Sequence, residues 1–378
     1  MLSTKIISNT YKNALKPVLF KIDPHIVHAQ ALSIGESLSK STYLSALTKK
    51  AFVCKSEILS QTIAGINFSN PVGLAAGFDY DGNLAQFMSC LGFGFNTVGS
   101  VTYRQYEGNK YPQLYRLPQS RSLLVNKGFK SAGAENVAFR LNSMSLQSSV
   151  VGISVGSSNV PSINTISKAI NDYVATFNVF KHKSCIKYFE LNISCPNTAM
   201  TESFTDLNNL KSLLYEIMQL NIKKPIFVKM PNELEFSHTK EIMQLCTNMG
   251  VNKFILSNLV KNRDNTFLNQ KEVAAISKLK GNFSGFPTKK GSDLLIKKSY
   301  KHFGKNIILV GCGGIFNAKD AYRKIKYGAS LVQLITGMIY CGPQLASEIS
   351  QELITLIHKD GYSNISEAIG SYHKSKNQ

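Results

Sequence analysis

The chain has 378 residues, 43% of them hydrophobic, with 43 Lys plus Arg against 23 Asp plus Glu, a formal net charge of +20. That length suits one large domain with an appendage, and the hydrophobic share is ample for a sizeable core. The charge does not point to nucleic acid: only six of the 43 cations are Arg, and no base-reading motif or aromatic-interleaved basic run accompanies the Lys, which are usually solvated.

Tyr11, Leu15, Val18 and Leu19 recur at helical spacing, and Asp23-Pro24 then restarts the chain as an N-cap followed by N1. A second periodic run follows through Ile26, Val27, Ala31, Leu32, Ile34 and Leu38. Over residues 1–55 eight Lys face only Asp23 and Glu36. Short basic amphipathic helices ahead of a globular domain read either as an interfacial anchor or as a cap packed on that domain. Lys5, Lys12, Lys16 and Lys21 interrupt any signal-peptide core, and no window reaches 18 uninterrupted apolar residues. The seven cysteines are odd in number and show no CxxC spacing. They suggest a reducing compartment, with neither a disulfide framework nor a metal site.

From residue 60 onward short apolar strands alternate with helical patterns. The spacing predicts strands at Val72–Ala76, Asn96–Gly99, Val150–Val155, Tyr188–Ile193, Pro225–Met230, Phe254–Ser257, Ile307–Gly311 and Leu331–Leu334. Helical stretches are expected at 165–181, 206–220, 237–249, 292–302 and 317–327. Eight strands with helical crossovers make an α/β fold of (β/α)8 TIM-barrel type with an N-terminal helical extension. The insert 100–130, rich in Tyr, Arg, Gly and Pro, reads as a loop or hairpin over the barrel mouth. The domains expected are 1–55, a helical membrane- or quinone-associated extension; 56–370, the barrel; and 371–378, a polar, frayed tail.

Chemistry in a parallel barrel belongs at the C-terminal strand ends. Leu74-Ala75-Ala76-Gly77-Phe78-Asp79 ends the first barrel strand with small residues against which a flat cofactor can lie. Leu191-Asn192-Ile193-Ser194-Cys195-Pro196-Asn197-Thr198 ends the fourth with one candidate proton acceptor, Cys195, between two carboxamides, a set suited to a planar polar substrate. A buried structural Cys beside a turn proline is the alternative. Lys229 stands inside Ile226-Phe227-Val228-Lys229-Met230, where a charge is costly unless it meets an anion or an electron-rich ring; a Schiff-base lysine is the other reading. Asn258 ends the sixth strand as a further amide, or as a turn former. Gly285, Gly311-Cys312-Gly313-Gly314-Ile315 and Gln333-Leu334-Ile335-Thr336-Gly337 come in the order of a barrel phosphate site, where backbone N–H groups grip an anion and a Cβ would block approach. Tight turns would use the same glycines.

Taken together, these segments resemble dihydroorotate dehydrogenase over nearly the whole chain, and its quinone-linked, membrane-associated class in particular. The resemblance is carried by Asn70–Asp79, Gly92-Phe93-Gly94, the Cys195 octet, Ser284-Gly285, Val310–Ile315 and Gly328–Gln333, with Leu19–Pro24 and His28 matching the class's N-terminal extension. It implies FMN at the barrel mouth, its phosphate on Gly285, Gly314, Ile335 and Thr336, its ring near Ala76, Gly77, Ser100, Asn192, Lys229 and Ser257. Lys229 would stabilise the anionic reduced flavin. Cys195 takes the position of the base that removes a proton from C5 of dihydroorotate while hydride leaves C6, with Asn126, Phe129, Asn192, Asn197 and Asn258 as substrate contacts. The implied partners are dihydroorotate and orotate, a membrane quinone, and a membrane surface met through the N-terminal helices. The implied location is peripheral, on the cytoplasmic face of a bacterial inner membrane more than on a mitochondrial one, because little sequence precedes the first helix.

The sequence also departs from the family. The quinone class usually has Ser as base, although a thiol of reference pKa about 8.5 is competent near neutrality. Tyr80 stands where the family has a Lys that touches flavin and substrate carboxylate, Val125 at a substrate-contacting Asn with Asn126 one step away, and Ser154 and Leu259 at an Asn and a Thr. Loss of that cation weakens carboxylate binding. A flavin enzyme for another dihydropyrimidine or an enoyl-type substrate, and a flavin-free barrel acting as a Schiff-base lyase or membrane scaffold, are the alternatives.

Overall fold

A computed structural model describes residues 2–146, 149–194 and 204–374. The N-terminal segment forms α1 (Leu2–Thr10), a π-helical turn at Tyr11–Leu15, α2 (Lys16–Leu19), α3 (Pro24–Lys40) and α4 (Thr42–Phe52). The expected cap is in place: the Asp23 carboxylate accepts the His25 N–H, and Pro24 supplies the first helical residue. Ser41 caps α4 by accepting from the Leu44 N–H.

A hairpin of β1 (Gln61–Ile63) and β2 (Ile66–Phe68) leads into the barrel. The barrel strands are β3 (Val72–Leu74), β4 (Phe95–Val101), β7 (Val151–Val155), β8 (Tyr188–Asn192), β9 (Ile226–Met230), β10 (Lys253–Leu256), β12 (Ile308–Cys312) and β13 (Ala329–Leu334), closed in that order, with β13 pairing back to β3. All eight strands expected from the apolar runs are present and every barrel pairing is parallel. The remaining three, β5 (Leu114–Leu117), β6 (Ser122–Val125) and the two-residue β11 (Asn282–Phe283), form an antiparallel sheet. The insert after β4 is therefore a hairpin as expected, but its third strand, too short to leave a period in the sequence, is contributed from about 160 residues further on.

Helices α5 (Ala134–Asn142), α6 (Ile166–Phe180), α7 (Leu207–Gln219), α8 (Phe236–Asn248), α9 (Gln270–Ala275), α10 (Lys289–Phe303), α11 (Ala318–Lys326), α12 (Thr336–Cys341) and α13 (Leu345–Lys359) follow in chain order. The first crossover, β3 to β4, carries only a 3-10 turn at Met88–Leu91. Leu345, Ile349, Leu353 and Ile357 line one face of α13 at i, i+4 spacing and are buried. Such a side chain contributes roughly 1.5–3 kcal/mol on burial. The barrel interior is filled by Phe95, Tyr188, Phe227, Ile255, Val310 and Leu331, and the β1–β2 hairpin closes its N-terminal end by packing Phe68 on Phe95. Closure at that end leaves the C-terminal strand ends as the open face. The tail differs from expectation. Residues Ser371–Lys374 form a helical turn held to the barrel by Lys297 Nζ on the Tyr372 hydroxyl (2.9 Å) and by the His373 ring on the Tyr327 carbonyl (3.1 Å).

Candidate functional site at the barrel mouth

A cavity of about 610 Å³ opens above the C-terminal strand ends. Its floor includes Ala76, Gly77, Ser100, Asn192, Lys229, Asn258, Ile335 and Thr336, and its outer walls are Tyr11, Leu15, Val27, Ala31 and Leu38 of the N-terminal helices. The barrel and the extension therefore share one space.

Backbone geometry positions the floor. Gly77, at φ +115°, donates its N–H to the Gly99 carbonyl (2.7 Å), and Gly99 donates to the Asp79 carbonyl (2.9 Å), which lays the 75–79 loop against β4. Asp79 anchors that loop from below. Its carboxylate accepts the Leu84 N–H (2.9 Å), and full burial pushes its pKa up to about 7. Asn192, at the tip of β8, donates to Ser100 Oγ (2.9 Å), and Ser100 Oγ lies 2.8 Å from Ser154 Oγ. Asn258 Nδ2 donates to Ser194 Oγ (2.9 Å), and Ser257 Oγ accepts from Asn232. Asn192, Ser100, Ser154, Asn258 and Ser194 are thus linked in one polar chain, with the Ser257–Asn232 pair as a separate contact.

Lys229 rises from β9 into this floor. It is 5% exposed, and among the described residues it has neither a hydrogen bond nor an ion pair. Beneath it lies a polar layer in which Glu190 Oε1 accepts from Thr97 Oγ1 and Gln333 Nε2, both at 2.6 Å. Buried Cys312 feels both charges, Lys229 pulling its pKa down and Glu190 pushing it up, with desolvation setting the net rise. An ammonium this deep is costly without an electron-rich partner. Its position therefore fits a flat, electron-rich ring on the floor.

The three glycine segments are brought together beside it. Gly285 has φ +78°, and a Cβ there would sit 2.5 Å from the Arg121 carbonyl oxygen and 2.6 Å from Thr336 Cγ2. Gly314, at φ +66°, faces the backbone and side chain of Lys289, and a Cβ on Gly337 would run into the Ile315 carbonyl oxygen. Ser284 Oγ and Thr336 Oγ1 are 2.8 Å apart. Backbone this close admits only glycine, and Ser284, Ile335 and Thr336 carry these packed segments to the edge of the cavity. Cys195 and Asn197 lie outside the described residues. Phe129 lines the cavity, whereas Asn126 does not: its Oδ1 accepts from Asn109 Nδ2 (2.8 Å). Val125 and Lys127 face the cavity in its place, the alternation of an extended chain that residue-by-residue matching passed over.

The opposite wall holds a group that the motifs left unassigned. His28 Nε2 contacts the Phe78 carbonyl (2.8 Å) and must donate, so Nδ1 accepts from the Tyr80 hydroxyl (2.8 Å). Burial, and then Lys127, lower the His28 pKa to about 4. The unfolded imidazole, with a reference pKa near 6.5, binds more protons than the folded one between these values, so this stabilisation is complete above about pH 6.5 and lost as pH falls toward 4. The size is on the order of 3 kcal/mol. Melting temperature should therefore fall from pH 7 to pH 4.5 more steeply in the parent than in His28→Gln; parallel curves would show that His28 does not titrate this way.

The fold and these side chains define a (β/α)8-barrel protein whose polar apparatus stands at the C-terminal strand ends, under a helical cap. The chain belongs to the dihydroorotate dehydrogenase family, whose model, described as "Dihydroorotate dehydrogenase", matches residues 58–357. It is 35% identical to the dihydroorotate dehydrogenase (quinone) of Nostoc punctiforme, covering 97% of this chain and 99% of that one. It is 31% identical to the protein of the same name from Roseiflexus, covering 94% and 97%. Among solved structures, the Eimeria tenella dihydroorotate dehydrogenase in complex with ferulenol superposes with a TM-score of 0.80 at 25% identity, covering 93% of this chain and 96% of that one.

Proposed function

We propose that the protein oxidises (S)-dihydroorotate to orotate at the barrel mouth, with FMN as its flavin and quinone as electron acceptor, in de novo pyrimidine synthesis. The observation that carries this reading is the single cavity joining the Lys229 floor to the N-terminal helices, since one space can serve both half-reactions. When bound, FMN would supply the redox chemistry that couples oxidation of the substrate to reduction of quinone. Gly285, Gly314, Ile335 and Thr336 would hold its phosphate through backbone N–H groups and the Thr336 hydroxyl. Ala76 and Gly77 leave room for the ring, which Ser100, Asn192, Lys229 and Ser257 border. The Lys229 ammonium offsets negative charge that builds on the ring's edge. Asn192, Asn197 and Asn258 orient the pyrimidine amides, Phe129 covers its face, and the Cys195 thiolate accepts the C5 proton.

The apolar mouth between α2 and α3 is the route for quinone. Val18, Ile22, Ile26 and Ile34 stand exposed on the same segment as Lys12, Lys16 and Lys21, a combination that suits a peripheral helix pair on an anionic membrane. No helix among the described residues is long and apolar enough to cross a membrane.

Anaerobic bleaching of the bound flavin by dihydroorotate tests the reaction, and an unchanged spectrum at saturating substrate would refute it. Ala31→Trp, at the cavity's outer wall, should raise the quinone KM about tenfold or more, by the scale of a filled apolar pocket. Flavin bleaching by dihydroorotate should keep its rate. Equal loss in both half-reactions would place the quinone route elsewhere.

A further inference from the structure

We propose that Lys127 is the cation that receives the carboxylate of the substrate, filling the role that Tyr80 leaves vacant; this rests on the dihydroorotate reading above. Arg116, Lys127, Lys130, Lys229 and the imidazole of His28 line the cavity. Arg116 donates to the Ile22 carbonyl (2.6 Å) and stacks on Phe20, and Lys130 pairs with Glu107 (3.6 Å). Lys229 lies in the floor on β9. His28 has both ring nitrogens engaged, by the Phe78 carbonyl and the Tyr80 hydroxyl.

Apart from Lys229 in the floor, Lys127 alone among the described cations that line the cavity has neither an ion pair nor a hydrogen bond through its ammonium. It follows β6 on the same face as Val125, and its Nζ stands 4.7 Å from the centroid of the Tyr80 ring. The ring supplies a cation–π seat and nothing more, because the Tyr80 hydroxyl is spent on His28. An ammonium held on one face by an aromatic ring keeps its N–H donors for the cavity, and desolvation leaves it in want of an anion. Position 80 has thus exchanged its charge for a platform, and the charge has moved to a neighbouring loop that reaches the same space. The carboxylate of a planar ring lying between Phe129 and Asn192 is the ligand of matching chemistry.

The test uses the full-length flavoprotein and two ligands, orotate and uracil, the same ring without the carboxylate, with binding read from the flavin absorbance. Lys127→Met should weaken orotate about 10–100-fold, the weight of one hydrogen bond to a charged group. The Kd of uracil and the KM of quinone should stay within threefold of the parent. Lys127→Arg should hold most of the orotate affinity, and Lys127→Met with Tyr80→Lys should restore it. An unchanged orotate Kd in Lys127→Met, a parallel loss for uracil, or a loss confined to quinone KM would each overturn the assignment. Should Lys127→Met fail to retain flavin, Lys127→Gln read against Lys127→Arg makes the same comparison. A parent protein whose flavin does not bleach with dihydroorotate refutes the substrate reading instead, which keeps the two failures apart.

Discussion

Lys229→Met is expected to slow anaerobic flavin bleaching by dihydroorotate by about 10²–10³-fold, the usual cost of removing one preorganised electrostatic partner. Orotate binding should change far less, because in the proposed reading the ammonium acts where charge develops on the cofactor and not on the pyrimidine. The flavin-free protein provides a second readout. Lys229 is buried and has no ion pair or hydrogen bond among the described residues, so exchanging it for an apolar chain of similar length removes an uncompensated charge. The apoprotein of the variant should melt no lower than the parent, and thermal scans of both apoproteins check this. A clearly lowered melting temperature would mean that the lysine holds the barrel layer of Glu190, Thr97 and Gln333 together, and that its role is structural.

Gly285→Ala is expected to cost the protein its flavin. The backbone there has φ +78° and ψ −135°, a region in practice open only to glycine, and the new methyl would meet the Arg121 carbonyl oxygen and the Thr336 side chain. Thr336 cannot retreat freely, because its hydroxyl contacts Ser284 Oγ at 2.8 Å and it begins α12. Flavin affinity should fall by about 100-fold or more, taking strain of about 1–3 kcal/mol with the lost backbone contact. The far-UV spectrum should stay that of the parent. Flavin-to-protein ratio after dialysis is the measurement, and full retention would remove Gly285 from the phosphate grip.

Much of the fold was legible in the sequence. Each barrel strand is an apolar run of a few residues, and each is buried on both faces, which is what parallel strands under crossover helices require. The cap at Asp23 was legible for a related reason, since its side chain satisfies the N–H two residues on; the structure adds the same local device at Thr165, Asp206 and Asn317. The tail failed this test: Tyr372 and His373 look like frayed polar sequence, yet their partners, Lys297 and Tyr327, lie 75 and 46 residues back.

By itself the sequence determined the barrel, the order of its strands, and the candidate glycines and Lys229 at the strand ends, because apolar period and motif spacing are local properties of the chain. Only the tertiary structure decided that Gly285 packs against Thr336 and Gly337 against Ile315, that the extension walls the same cavity as the barrel floor, and that Asn126 turns to Asn109 while Lys127 seats itself on Tyr80. The physical reason is range. A side chain's direction is set by alternation within its own strand, whereas its partner is set by loop closure across dozens of residues, and no local pattern encodes where such a loop returns.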